Sequence, residues 1–106
     1  MDKNLIQGSL NMLILRLLDE RDMYGYEMIE TLRHRSNDVF ELKAGSLYPL
    51  LHGLEAKGLV TSYEDESSGK LRKYYHITKA GKKILKEKKE EWNVYAGAVS
   101  NVLAMV

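Results

Sequence analysis

Two groups of side chains in this chain have types and spacings that fit one chemistry, the binding of a polyanion. The first is Lys70, Arg72 and Lys73, three cations within four residues. They follow the polar, glycine-bearing run Asp65-Glu66-Ser67-Ser68-Gly69, which separates two β-prone runs, Leu59 to Glu64 and Lys70 to Ile77. That pattern predicts a hairpin with its cations crowded at the tip, where charge stays solvated. The second group is Ser46, Tyr48, Pro49 and His52, which with Ala56 lie off the leucine stripe (Leu47, Leu50, Leu51, Leu54) of a short helix. Ser46, as the capping residue, and the unsatisfied N–H groups of a helix start suit a phosphate. Tyr48 and His52 stand one turn apart and point the same way; alternatively, Tyr48 packs beneath the hairpin. Lys43 precedes this helix. Tyr24 and Tyr26 read equally as phosphate donors or as aromatics at the edge of a core.

No constellation for catalysis or metal binding is present. His34, His52 and His76 lack the spacing of metal ligands, and His52 with Glu55 makes only a pair. Ser46 has no G-x-S-x-G surroundings, and no glycine loop follows a strand to cradle a nucleotide. Neither enzyme activity nor a cofactor is expected.

Length and composition narrow the class further. At 106 residues the chain is expected to form one compact domain, small for a lone stable monomer. The absence of cysteine excludes disulfides and thiolate metal sites and suits a reducing cytoplasm. No apolar run nears ~20 residues and no signal-peptide layout opens the chain, so neither a membrane span nor secretion is expected. The net charge of +1 hides an asymmetry: residues 68–90 hold nine Lys/Arg against two Glu, while residues 1–67 hold seven against twelve Asp/Glu. A basic second half on a near-neutral chain implies one face for polyanions, although Lys79, Lys82, Lys83, Lys86, Lys88 and Lys89 equally serve to solvate a helix.

The elements that must position these groups follow from periodicity. Helix one is predicted over Leu5 to Leu18, with Ile6, Leu10, Leu13, Ile14, Leu17 and Leu18 as its core stripe. Leu5, Met12 and Leu15 lie off that stripe, so another part of the chain or a second subunit must cover them. Helix two spans about Tyr24 to Arg33, Ser36-Asn37-Asp38 makes a turn, and Val39 to Leu42 reads as a short strand beside the hairpin. The third helix begins near Gly45 or Ser46, with Ser46 the better cap, which leaves Pro49 in its first turn, and it ends at Lys57-Gly58. In the second hairpin strand Arg72, Tyr74 and His76 share one face, Leu71, Lys73, Tyr75 and Ile77 the other. Thr78 caps a last helix running to the end. Leu85, Trp92, Val99 and Val106 recur in it every seven residues, with Tyr95 and Val102 between them, a coiled-coil-like seam. The layout is that of a winged helix-turn-helix, α+β but mostly α. Residues 1–78 are expected to form the DNA-binding region and 79–106 a dimerisation helix. The predicted twofold interface comprises Leu5, Met12, Leu15, Leu85, Trp92, Tyr95, Val99 and Val102, each seam lying on the partner's helix one.

The run Gly45-Ser46-Leu47-Tyr48-Pro49, then Leu54-Glu55, Lys57-Gly58-Leu59, Arg72-Lys73-Tyr74-Tyr75, Thr78 and Gly81, resembles the PadR family of bacterial transcriptional regulators. Tyr24-Gly25-Tyr26-Glu27 matches the family's second helix. The resemblance implies a regulator, expected to be a repressor, that binds double-stranded DNA through Tyr24, Lys43, Ser46, Tyr48, Pro49, His52, Lys70, Arg72 and Lys73. Helix three offers no Arg, Asn or Gln for a bidentate base contact, so specificity should lean on half-site spacing and DNA shape. Trp92 reads as a dimer-core anchor or as one wall of a slot for a planar aromatic ligand. The resemblance supports the slot, because some short PadR-type regulators place an aromatic-lined ligand site at the dimer interface and others respond to phenolic acids. One turn on stands Ala96 and not a carboxylate, so such a slot has no built-in preference for cations. A small protein–protein adaptor without an operator, or a ligand-storing protein, remains the alternative on sequence grounds.

Overall fold

A computed structural model describes residues 3–104, with side chains from Ser9 onward. Of the residues named above, Leu5 and Ile6 lie outside the described side chains and Val106 outside the described residues. The chain runs α1 (Lys3–Glu20), β1 (Met23–Tyr24), α2 (Gly25–Arg35), α3 (Ala44–Ala56), β2 (Val60–Asp65), β3 (Arg72–Ile77) and α4 (Lys79–Leu103). The strands form one antiparallel sheet in the order β1-β3-β2. This is the mostly helical winged helix-turn-helix expected from the sequence, with a long last helix.

The core is built around α1, which touches α2, β3 and α4. Ile14, Leu15, Leu17 and Leu18 of α1 are all buried, together with Met23, Met28, Leu47, Leu51, Val60 and Tyr75. That enclosure corrects part of the predicted dimer surface. Leu15 is 0% exposed and Leu85 4%, so both belong to the chain's own core. A helix wrapped by three neighbours needs apolar residues nearly all round. Met12 and Leu13 pack against the core while remaining half-buried.

A second correction concerns the third strand, which is Met23–Tyr24 and not Val39 to Leu42. Met23 pairs with Tyr75 and Tyr24 with Tyr74. The segment after α2 is held as a turn instead. Asn37 and Asp38 take positive φ values, and the Ser36 hydroxyl accepts a hydrogen bond from the Phe40 N–H at 2.9 Å. Two of its apolar residues nonetheless turn inward, Leu42 being buried and Phe40 packed against the core, while Val39 stays exposed. Burial of this irregular segment produced the strand-like pattern.

Helix α3 starts earlier than expected. Its N-cap is Lys43, whose carbonyl accepts from the N–H groups of Ser46 and Leu47 at 3.0 and 2.9 Å. Ser46 is therefore within the first turn and is not the cap. Pro49 then falls in the second turn, where its lack of an N–H leaves the Gly45 carbonyl without the usual helical donor. The helix ends as predicted: Gly58 adopts φ +73°, Leu59 N–H donates to the Leu54 carbonyl and Gly58 N–H to that of Glu55. This paired closure is the Schellman arrangement.

Thr78 joins that end to the start of α4. Its hydroxyl donates to the Gly58 carbonyl at 2.7 Å and accepts from the Gly81 N–H at 3.1 Å. Only Gly81 and Leu85 of α4 are buried. Beyond them the helix leaves the body, and the molecule measures 58 × 28 × 21 Å.

Candidate nucleic-acid interface

The hairpin positions the wing cations through its register. Val60 pairs with Ile77 and the ladder runs out to Asp65 opposite Arg72, so the loop of residues 66–71 forms the tip. Gly69, at φ +83°, closes the turn, its N–H bonded to the Glu66 carbonyl at 2.8 Å. Side chains alternate as predicted. Tyr75 and Ile77 enter the core, whereas Arg72, Tyr74 and His76 face outward.

Five of the predicted contact residues come together. Tyr24, Tyr48, Lys70, Arg72 and Lys73 line one groove of about 500 Å³, shared with Gly25, Tyr26 and Leu71. The groove lies between the start of α2, the outer face of α3 and the wing. The two readings of Tyr48 merge here. Its ring is 40% exposed, and its hydroxyl rests on Gly25, where a Cβ would overlap it. Lys43, Ser46, Pro49 and His52 are exposed on α3 or at its cap but do not line the groove.

The charges around the groove are left unneutralised. Every arginine of the α1–α2 half has a carboxylate partner: Arg16 and Arg35 with Glu20, Arg21 with Glu27, Arg33 with Glu30 and Asp38. Among the described residues Lys70, Arg72 and Lys73 enter no ion pair, although Glu64 and Asp65 stand opposite Lys73 and Arg72 in the ladder. Asp65 instead turns into its own loop, accepting from the Ser67 N–H at 2.7 Å, a bond that holds its carboxyl below the ordinary carboxylate range. The Arg72 guanidinium sits 4.3 Å above the Tyr24 ring, a cation–π contact that orders the arginine without cancelling its charge.

At the start of α2 Gly25 and Tyr26 complete the groove, where the sequence left Tyr24 and Tyr26 open between phosphate donors and core-edge aromatics. Sequence reasoning missed one feature. It is a cluster on the outer sheet face. Asp22 accepts from the Tyr63 hydroxyl at 2.6 Å and lies 2.8 Å from His76 Nδ1. An ionised carboxylate can only accept, so the His76 proton is on Nδ1. Burial pushes the Asp22 carboxyl up, but the bonds from Tyr63 and His76 and the His76 charge outweigh it and hold it below its usual value. Donating that bond to the Asp22 carboxylate pushes the Tyr63 phenol up to about 12. These partners are 41 and 54 positions apart in the chain, and only the placement of β1 brings them together.

On α4 the seam residues are open. Trp92 is 49% and Tyr95 60% exposed, with their ring centroids 6.2 Å apart, and Val99 and Val102 are also exposed. Ala96 is half-buried beside them. Among the described residues no helix is long and apolar enough to cross a membrane, and no three His, Asp or Glu side chains gather as a metal would require.

Comparison with known proteins agrees with this geometry. Residues 14–87 match the transcriptional regulator PadR-like family. A protein of Lysinibacillus sphaericus is 42% identical over 90 residues, covering 84% of this chain and 83% of its own. Transcriptional regulator YqjI of Escherichia coli is 30% identical over 84 residues, covering 79% of this chain and 39% of that longer protein. The crystal structure of a PadR-like transcriptional regulator from Bacillus cereus superimposes with a TM-score of 0.89 at 31% identity, covering 98% of this chain and all of the other (100%). The chain therefore belongs to the PadR-like family of transcriptional regulators, a class that acts by binding DNA and not by catalysis.

Proposed function

We propose that the protein is a homodimeric repressor that binds a pseudo-palindromic operator, with α3 in the major groove and the wing on the sugar–phosphate backbone. The observation that carries this reading is the set of three unpaired cations at one groove with Tyr48 of α3. Phosphates supply the missing negative charge and fix register, while Tyr48, His52 and Pro49 face the bases. Ser46 and Lys43 add phosphate contacts at the start of α3. Residues 79–106 serve as the dimerisation helix, their exposed seam of Trp92, Tyr95, Val99 and Val102 meeting the partner's α1 near Met12. A planar aromatic molecule bound between subunits at Trp92 and Ala96 would release the operator by favouring another separation of the two recognition helices.

The test is salt dependence on specific and random duplexes. Arg72→Ala and Lys73→Ala should each weaken binding to both duplexes alike and lower the log–log salt slope by roughly one unit per lost phosphate contact. Unchanged affinity and slope in the double variant would take the wing off the DNA. A protein–protein adaptor would show no saturable duplex binding at all.

A further inference from the structure

The outer face of the sheet carries three tyrosines in a single row. Tyr24 of β1, Tyr74 of β3 and Tyr63 of β2 are direct cross-strand partners. Tyr63 and Tyr74 stack at 5.7 Å and 14°, and Tyr24 meets Tyr74 edge-on at 5.5 Å and 75°. One end of the row is tied down by Asp22, which accepts from the Tyr63 hydroxyl and from His76. The other end carries Arg72, its guanidinium over the Tyr24 ring.

We propose that Asp22 is a positioning residue for the wing, holding the tyrosine row on which Arg72 is seated and so presetting that guanidinium for a phosphate. The inference rests on the wing as a DNA contact, proposed above. Its physical basis is the weakness of what Asp22 reinforces. Strand β1 has only two residues, too short to hold its place by ladder bonds alone. Asp22 immediately precedes it and reaches across to both β2 and β3, so one carboxylate ties all three strands. With the row fixed, Tyr24 presents a constant face to Arg72, and an arginine already ordered gives up less side-chain freedom on binding. Asp22 is too remote from the groove to be a contact itself: it does not line it, and its charge has the wrong sign for DNA.

Asp22→Asn tests this, because the amide removes the carboxylate charge and leaves one acceptor oxygen where two oxygens accept from Tyr63 and His76. Two readouts are needed. In the DNA-free protein, NMR should show the Arg72 side-chain protons shifted upfield by the Tyr24 ring, and Asp22→Asn should remove that shift. On a random-sequence duplex, fluorescence anisotropy should show affinity several-fold weaker in Asp22→Asn, and no further loss when it is added to Arg72→Ala. An upfield shift retained in Asp22→Asn, or losses that simply add in the double variant, would overturn the proposal. If Arg72→Ala alone leaves duplex binding unchanged, the DNA reading of the wing fails, while the NMR shift still decides whether Asp22 seats the arginine. Tyr63→Phe removes the same tie without touching the carboxylate and serves where the Asn variant folds poorly; it should reproduce both effects.

Discussion

The hydroxyl of Tyr48 rests on the α-carbon of Gly25, so that a methyl group there would overlap it. The contact joins the first residue of α2 to the outer face of α3 at the floor of the groove. Alanine is the better helix former, by about 1 kcal/mol in a helix interior and by less at a first position such as this, so helix propensity gives no reason for Gly25→Ala to destabilise. Here the overlapping atom ends a partly exposed side chain, and the ring must swing away. We expect Gly25→Ala to melt no lower than wild type yet bind DNA more weakly, with no added loss when combined with Tyr48→Ala. Full affinity in Gly25→Ala would remove Tyr48 from the contact set.

Gly81 presents the opposite case. A Cβ there would overlap the backbone carbonyl of Leu59, which already accepts from the Thr78 N–H at 3.0 Å. Backbone cannot rotate aside as a ring can. Gly81→Ala should cost about 1–3 kcal/mol, the usual range for overpacking, despite the better helix propensity of alanine. Denaturant titration gives the number, and a variant as stable as wild type would show that the start of α4 shifts freely past Leu59.

Asp22 and Tyr63 make stability depend on pH at both extremes. The Asp22 carboxyl is depressed in the fold, so its contribution is complete above the ordinary value of 3.8 and is lost as pH falls through the lower folded value. The Tyr63 phenol is raised from 10.0 to about 12, so its contribution is complete below 10.0 and is lost as pH rises through about 12. Spectrophotometric titration of wild type, with Tyr63→Phe as the subtraction, should find a phenol ionising near 12. In Asp22→Asn that phenol should return toward its ordinary range; no movement would mean the bond does not persist in solution.

The α4 seam gives an assembly prediction. Val99 is 38% exposed in one chain and lies on the seam with Trp92 and Tyr95. A carboxylate buried there costs several kcal/mol unless it escapes to water, so Val99→Asp should sediment as a monomer or lose stability. A well-folded dimer would move the interface elsewhere. If the proposed dimer forms with its aromatic slot, planar aromatics should quench Trp92 fluorescence at one per twofold axis and weaken operator binding together.

Most of the element order was legible because it is written in local signals: the Gly58 stop, the Thr78 cap and the polar turn at residues 65–69. The wing cations were legible for the same reason, since three charges at a tip need no tertiary information. What could not be read depends on which strand lies beside β3. Two residues carry no periodicity, so β1 was invisible and a turn with buried Phe40 and Leu42 stood in for it. The partnership of Asp22 with Tyr63 and His76 was hidden with it. Leu15 was misassigned because an apolar residue off the main stripe looks the same whether a second subunit or the rest of its own chain covers it.

The knot of Gly58, Thr78 and Gly81 also has a mechanical meaning. From it α4 extends 25 residues, roughly 37 Å at 1.5 Å per residue, while only its first turns are gripped by the body. It is a long lever on a short fulcrum: a 5° tilt at the knot carries the far end roughly 3 Å. The same hydroxyl that caps the lever also holds Gly58, the residue on which the chain leaves α3, so the fulcrum of α4 and the exit from α3 share one hydrogen-bonded joint.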